Sequence, residues 1–160
     1  MKTLKTLKSL ILILAFAFIA IGCSNSTSKN DSVEGNLPEL MTKIYSGSER
    51  ENGNLVNTEI TDENLSYYTG LDSLDFKEGL ASEPMINVDP HSVVLLRISD
   101  VSQVEDIKSQ IKAKVDPRKW ICVEVAPENV IVDNIGDLVI VIMDNNESAK
   151  LHENFKNLNK

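Results

Sequence analysis

"SVVLLRIS", Ser92 to Ser99, puts Val94, Leu96 and Ile98 on one side of an extended chain and Val93 and Leu95 on the other. A strand that is apolar on both faces needs cover on both sides, so it belongs in the middle of a sheet. "LVIVIM", Leu138 to Met143, has the same character, and "NVIVDNIGDLVIVIMD" reads as two strands joined at "DNIG". Two more stretches read as strands. "WICVEVA", from Trp120, turns Ile121, Val123 and Val125 toward the core, and "LSYYTGLD" ends in a glycine turn at Gly70.

The segments between these strands carry a helical period. In "DVSQVEDIKSQIKAKVDP", Val104, Ile107, Ile111 and Val115 fall on one stripe, with Ser102 and Glu105 spaced as a capping box. Pro117, which lacks an N–H and clashes with the preceding turn, ends that helix. "LPELMTKIYSG" aligns Leu37, Leu40, Met41 and Ile44 before Gly47, and "NESAKLHENFKNL" aligns Leu151, Phe155 and Leu158. "SLDFKEGLAS" is a further short helix in this reading, and Ser48 to Asn64 is a loop or a weak edge hairpin. No internal repeat is visible. Short helices between mostly hairpin-joined strands define an α+β class: one small domain, mainly an antiparallel sheet of about four to five strands packed with two to four short helices.

Ahead of this domain the chain has a different composition. Lys2, Lys5 and Lys8 precede an apolar run from Leu10 to Ile21, the order of a signal peptide. That run is well short of the roughly 20 residues a spanning helix needs. Ala20-Ile21-Gly22-Cys23 has the form of a bacterial lipobox, in which residues 1–22 are removed and Cys23 carries lipid; the alternative is an uncleaved anchor with an incidental cysteine. Ser24 to Asn36, rich in Ser, Asn, Lys and Asp, reads as a flexible tether (residues 23–36 with its cysteine), leaving residues 37–160 as the domain. Removal of Lys2, Lys5 and Lys8 would leave 13 basic residues against 24 acidic ones, a formal charge of −11. Such a surface repels nucleic acid and anionic headgroups, so lipid must hold the protein at the membrane. With Cys23 acylated, Cys122 is alone and is expected to be partly buried and inert.

The ordered series "YYTGLD", "ASEPMINVDPHSVVLLRISD", the capped helix, "GDLVIVIMDN" and a terminal helix resembles one family. It is similar to the small bacterial lipoproteins of the domain of unknown function 4358, common in clostridia-like Firmicutes. The resemblance runs from about Leu37 to the end. Its most specific stretches are Pro84-Met85-Ile86-Asn87-Val88 and the glycine, Gly136, that opens the last strand; the break at Asp116-Pro117 departs from the pattern. These are hydrophobic and turn features. The resemblance implies placement and fold, and brings no catalytic residues with it.

Chemistry-bearing patterns are sparse. His91 and His152 are the only histidines, and neither has a His or Cys near it as a zinc site requires, so both are expected to be exposed or capping. "DNNES" from Asp144 opens like a calcium loop, but position six is Ala149 and position twelve is Phe155. Capping of the last helix by Asn145 or Asn146, with Glu147 in its first turn, is the simpler reading. Ser109-Gln110-Ile111-Lys112 matches S-x-x-K yet lies mid-helix, and no K-T-G follows. Asp133 and Asp137 flank a turn, where solvated acids are common. No catalytic residue, metal ligand or cofactor is assigned.

Trp120, Tyr67 and Tyr68 are the candidate ligand- or partner-binding residues, because aromatic side chains with polar tips concentrate in interfaces. The expectation is therefore a lipoprotein on the extracytoplasmic face of the cell membrane, acting as a non-catalytic binding or accessory module for an envelope protein. Two alternatives stay open. One is an extracytoplasmic enzyme with an acidic, divalent-cation-dependent site, and the other is a structural envelope component. Carboxylates converging in a cleft would favour the enzyme; a flat aromatic patch would favour the partner.

Overall fold

A computed structural model describes residues 32–160. The stretch read as a signal peptide, the lipobox-like motif and Cys23 lie outside the described residues. The chain runs α1 (Leu37–Tyr45), β1 (Leu55–Glu59), α2 (Leu65–Thr69), β2 (Phe76–Pro84), β3 (His91–Ile98), α3 (Val104–Lys114), β4 (Val130–Ile135), β5 (Leu138–Asp144) and α4 (Ser148–Lys156). The strands form one antiparallel sheet in the order β1-β2-β3-β5-β4. The α+β class holds, with five strands and four helices among the described residues.

"SVVLLRIS" and "LVIVIM" are neighbours in the interior of that sheet, as their two apolar faces require, with Leu96 opposite Val139 and Leu95 opposite Ile140. Val94, Leu96, Ile98, Val139, Val141 and Met143 face one layer, with α2 and α3 over them. Val93, Leu95, Leu138, Ile140 and Ile142 face the other, covered by α1 and α4. Asn36 caps α1 by accepting the Glu39 N–H at 2.9 Å. The β4–β5 hairpin turns at Gly136, whose φ of 57° lies in the left-handed region that glycine enters without strain. Ser48 to Asn64 contains a weak edge strand, β1, paired to β2. Residues 32–36, placed in the tether by composition, rest on the body: Val33 is buried beside α1, and Arg97 donates to the carbonyls of Val33 and Gly35, each at 3.1 Å.

Four local expectations are corrected. "LSYYT" is helical, because Leu65, Tyr68 and Thr69 bury one helical side and Gly70, at φ 74°, closes the turn with its N–H on the Ser66 carbonyl. A Cβ on Gly70 would lie 2.3 Å from the Lys114 carbonyl oxygen, so α2 can abut α3 only through glycine. "FKEGLASEP" is strand β2 rather than helix; a bulge between Phe76 and Glu78 and the bare Gly79 erase the period-two signature. "WICVEVA" forms no strand: Cys122 sits at φ 60°, and Ile121 points to solvent while Val125 is buried. The Ser102–Glu105 box is not made. Asp100 accepts the Ser102 N–H at 2.9 Å, and Glu105 pairs with Lys108.

Candidate functional site

The structure gathers all three aromatic candidates around one lysine that composition does not single out. Helix α2 presents Tyr68 inward and Tyr67 outward, their rings meeting edge-on with centres 4.9 Å apart. The irregular segment between α3 and β4 brings Lys119 and Trp120 against them. The Lys119 ammonium lies 4.4 Å from the Tyr67 ring centre, 5.0 Å from Tyr68 and 5.3 Å from Trp120. Cation–π attraction of this kind is worth about 0.5–2 kcal/mol, more where water is excluded. The Lys119 side chain is only 4% exposed and lies 2.5 Å from Glu83 Oε1; its ammonium also donates to Ser92 Oγ at 3.3 Å. Burial pulls the Lys119 ammonium below its ordinary value, with the Glu83 charge acting against the drop. Burial also pushes the Tyr67 phenol up to about 12, and the Glu83 carboxylate adds to the rise.

Beside this cluster the surface turns apolar. The loop after β2 leaves Met85 and Ile86 77% and 63% exposed, with Val88 more than half exposed. Ile121, also exposed, is tied to that loop by its N–H on the Asn87 carbonyl at 2.9 Å. Val56 stands opposite Glu83 in the β1–β2 ladder, and Tyr67 reaches the Glu83 carboxylate at 3.3 Å. Of the seven large exposed hydrophobic residues among those described, only Val101 lies elsewhere. Scattered exposed apolar residues are ordinary, but a contiguous group marks an interaction site. Cys122, expected to be partly buried, is exposed here and lines a shallow depression of about 360 Å³ with Arg118, Trp120, Val123 and Glu124.

The opposite face of the same sheet end holds a second polar cluster. His91, expected to be exposed or capping, is fully buried. Its Nδ1–H donates to Asp144 Oδ2 at 2.7 Å, and its Nε2 bonds the Tyr45 hydroxyl at 2.8 Å. Arg50 forks onto Asp89 at 2.5 and 2.8 Å and lies 3.2 Å from Asp144. Asp144 also caps the chain entering α4, accepting the N–H groups of Asn146 at 2.7 Å and Glu147 at 2.6 Å. The expected caps do otherwise: Asn145 pairs with the Ala126 N–H and the Glu124 carbonyl. Burial works to raise the Asp144 carboxyl, but His91 and the two backbone donors overcome it and bring it down to about 2. Burial holds the Tyr45 phenol above its ordinary value.

The remaining acids do not converge. Asp133 pairs with His152 at 2.6 Å and Lys108 at 3.8 Å. Asp137 pairs with Lys77 at 3.5 Å and Arg97 at 3.4 Å. An open groove of about 720 Å³ has Asp62, Asp72, Asp75 and Asp106 in its walls. Among the described residues, however, no three His, Cys, Asp or Glu groups are placed to hold a metal ion. Ser109 donates to the Glu105 carbonyl within α3. Two signals for the aromatic site are present in the sequence: apolar Met85-Ile86 between Pro84 and Pro90, where a turn should be polar, and a lysine next to the only tryptophan. Among the described residues no helix is long and apolar enough to cross a membrane. The chain matches no family model, no curated protein and no solved structure.

Proposed function

We propose that this chain is an extracytoplasmic lipoprotein, anchored in the bacterial cell membrane through lipid on Cys23, whose folded body is a non-catalytic binding module. The resemblance to lipoproteins of the domain of unknown function 4358 accords with that placement. One observation carries the reading. Tyr67, Tyr68 and Trp120 meet on Lys119 beside the exposed Met85, Ile86, Val88 and Ile121, whereas Asp133, Asp137 and Asp144 are each engaged by separate cationic partners. Catalysis needs a nucleophile or base open to substrate and held by a second group. The best-oriented pair, His91 with Asp144, is fully enclosed. Anchoring is tested by Cys23→Ser: the protein moves to the medium or remains an unprocessed precursor, and the acylated N-terminal peptide disappears from the mass spectrum. Alkali-resistant membrane association of a cleaved Cys23→Ser protein would refute the anchor.

A further inference from the structure

The end of the body that carries the apolar group is opposite to the end where the tether joins. Strand β3 starts at His91, next to the loop of Met85, Ile86 and Val88, and runs toward Arg97 and Ile98. Arg97 holds the Val33 and Gly35 carbonyls, Ser32 Oγ donates to Asp137 at 3.4 Å, and the Ile98 N–H donates to the Asp137 carbonyl. The chain from Cys23 therefore reaches the body at the Arg97–Asp137 end. At about 3.4 Å per residue, His91 and Arg97 are separated by about 20 Å, and the loop extends the body beyond His91. Cys23 and Ser32 are nine residue steps apart. A relaxed polar chain of that length spans about 17 Å, and a fully stretched one about 30 Å. A lipid on Cys23 would therefore hold the Arg97 end nearer the bilayer, with the apolar group at the far end of the body. A processed chain of formal charge −11, with 13 basic and 24 acidic residues, is also repelled by anionic headgroups, so charge does not draw the body onto the bilayer.

We infer that the end formed by Met85, Ile86, Val88, Ile121, Tyr67 and Val56 is a docking face for an envelope protein whose own apolar surface is rimmed by basic side chains, presented away from the bilayer. The inference rests on the binding-module reading and adds to it the face, the orientation and the chemistry of the partner. Val56, Tyr67 and Ile121 sit on three separate elements joined through Glu83 and Asn87, so the face is held by the fold and not by the loop alone. Lys119 is enclosed, and Arg50 is committed to Asp89 and Asp144. Arg118 is exposed beside this face, but the body as a whole is acidic, so a basic rim on the partner is attracted to it, which speeds encounter and makes it salt-dependent.

The full chain, in intact cells, is the material for the test. A photoreactive phenylalanine analogue is placed at position 86, at position 121 and, as a control at the tether end, at position 77. Positions 86 and 121 are expected to yield an adduct with the same protein, and position 77 none. Adding Met85→Glu to the position-121 protein is expected to lower adduct yield at least about tenfold; washing membranes in ~0.5 M salt before illumination lowers it as well. Met85 is mostly solvent-exposed, so unfolding is not expected, and an unchanged thermal melt checks this. Adducts of position 86 or 121 with lipid would show that the face meets the bilayer, and adducts there of twice the monomer mass would show a second copy. An equal yield at position 77 would show that no face is selected. Each of these three results overturns the inference. The Cys23→Ser protein separates the two layers of argument: loss of anchoring with adducts retained supports both, while anchoring through Cys23 without a patch-specific adduct refutes the docking face alone.

Discussion

Replacing Asp144 by asparagine should both weaken the fold and flatten its response to acid. The Asp144 side chain is fully buried, and its oxygens take hydrogen bonds from His91, Asn146 and Glu147 as well as the charge of Arg50. These partners hold its carboxyl at about 2, against an ordinary value of 3.8. That drop corresponds to about 2.5 kcal/mol of stability. Above about pH 5 the group is ionised in both states and its contribution is complete. As pH falls the unfolded chain takes up its proton first, so the contribution shrinks below about pH 5, is mostly lost by pH 2 and is gone near pH 1. The substituted amide keeps an acceptor for the backbone N–H groups but removes the charge facing Arg50 and turns an NH₂ group toward His91. The loss at pH 7 should be about 2–4 kcal/mol. Urea unfolding followed through the single tryptophan, Trp120, reads both quantities. Other carboxylates, such as Asp133 and Asp100, titrate alike in the two proteins and cancel from the difference. The gap between wild type and Asp144→Asn should narrow by about 2 kcal/mol between pH 5 and pH 2. A gap below about 1 kcal/mol at pH 7, or one that stays constant across that range, would refute the account of the cluster.

Three further outcomes are expected. Leu96→Ala and Ile140→Ala, each emptying a site with no solvent exposure in the middle of the sheet, should cost about 2–5 kcal/mol in urea unfolding; under about 1 kcal/mol at both would show that the core lies elsewhere. Lys119→Ala strands the Glu83 carboxylate among aromatic rings and should cost about 3 kcal/mol, and adding Glu83→Gln should recover part of that; a double variant no better than the single one would remove the ion pair from the explanation. Calorimetry of the chelator-treated protein with calcium, magnesium, manganese and zinc should show no saturable one-to-one site tighter than about 10 μM, and such a site would return the acidic groove around Asp72 and Asp106 to consideration.

Residues 92–99 and 138–143 are legible in the sequence because burial on both faces imposes a composition that few other environments tolerate. Helices α1, α3 and α4 are legible for a related reason: one buried stripe leaves a period of 3.6. The segments that mislead are those where a tertiary requirement outweighs local preference. In "LSYYTG" the aromatic pair favours a strand, yet Gly70 is needed for its close approach to Lys114 and ends a helix instead. In β2, a Cβ on Gly79 would stand 2.8 Å from Ile60 and 2.9 Å from Leu96, so that glycine marks close packing in a stretch the sequence reads as a short helix. Residue type alone points to Tyr67, Tyr68 and Trp120. It does not point to Lys119 and Glu83, because a lysine between arginine and tryptophan looks solvated until α2 and β2 are laid beside it. His91 reads as exposed because its partners, Tyr45 and Asp144, are 46 and 53 residues away along the chain.

The two polar clusters answer a problem created by the apolar strands. Where only one face of a strand is buried, a one-residue slip exposes apolar side chains and is rejected at once. β3 and β5 are apolar on both faces, so a slip between them exchanges Val, Leu and Ile for one another and exposes little. The information that sets register must come from elsewhere, and the strand ends supply it. His91 stands directly opposite Asp144 in the β3–β5 ladder, and the two are hydrogen-bonded on one face. On the other face, Ser92 of β3 and Glu83 of β2 meet on Lys119. A slip of one residue turns His91 and Ser92 to the wrong faces together, leaving Asp144 buried without His91 and Lys119 without its hydroxyl. A buried charge stripped of its partner costs about 3–5 kcal/mol, a penalty the apolar part of the ladder does not impose. The cluster beside the proposed docking face thus has a structural role that precedes any binding: it sets the register that brings Glu83, Tyr67 and the Met85–Val88 loop to the same end of the sheet.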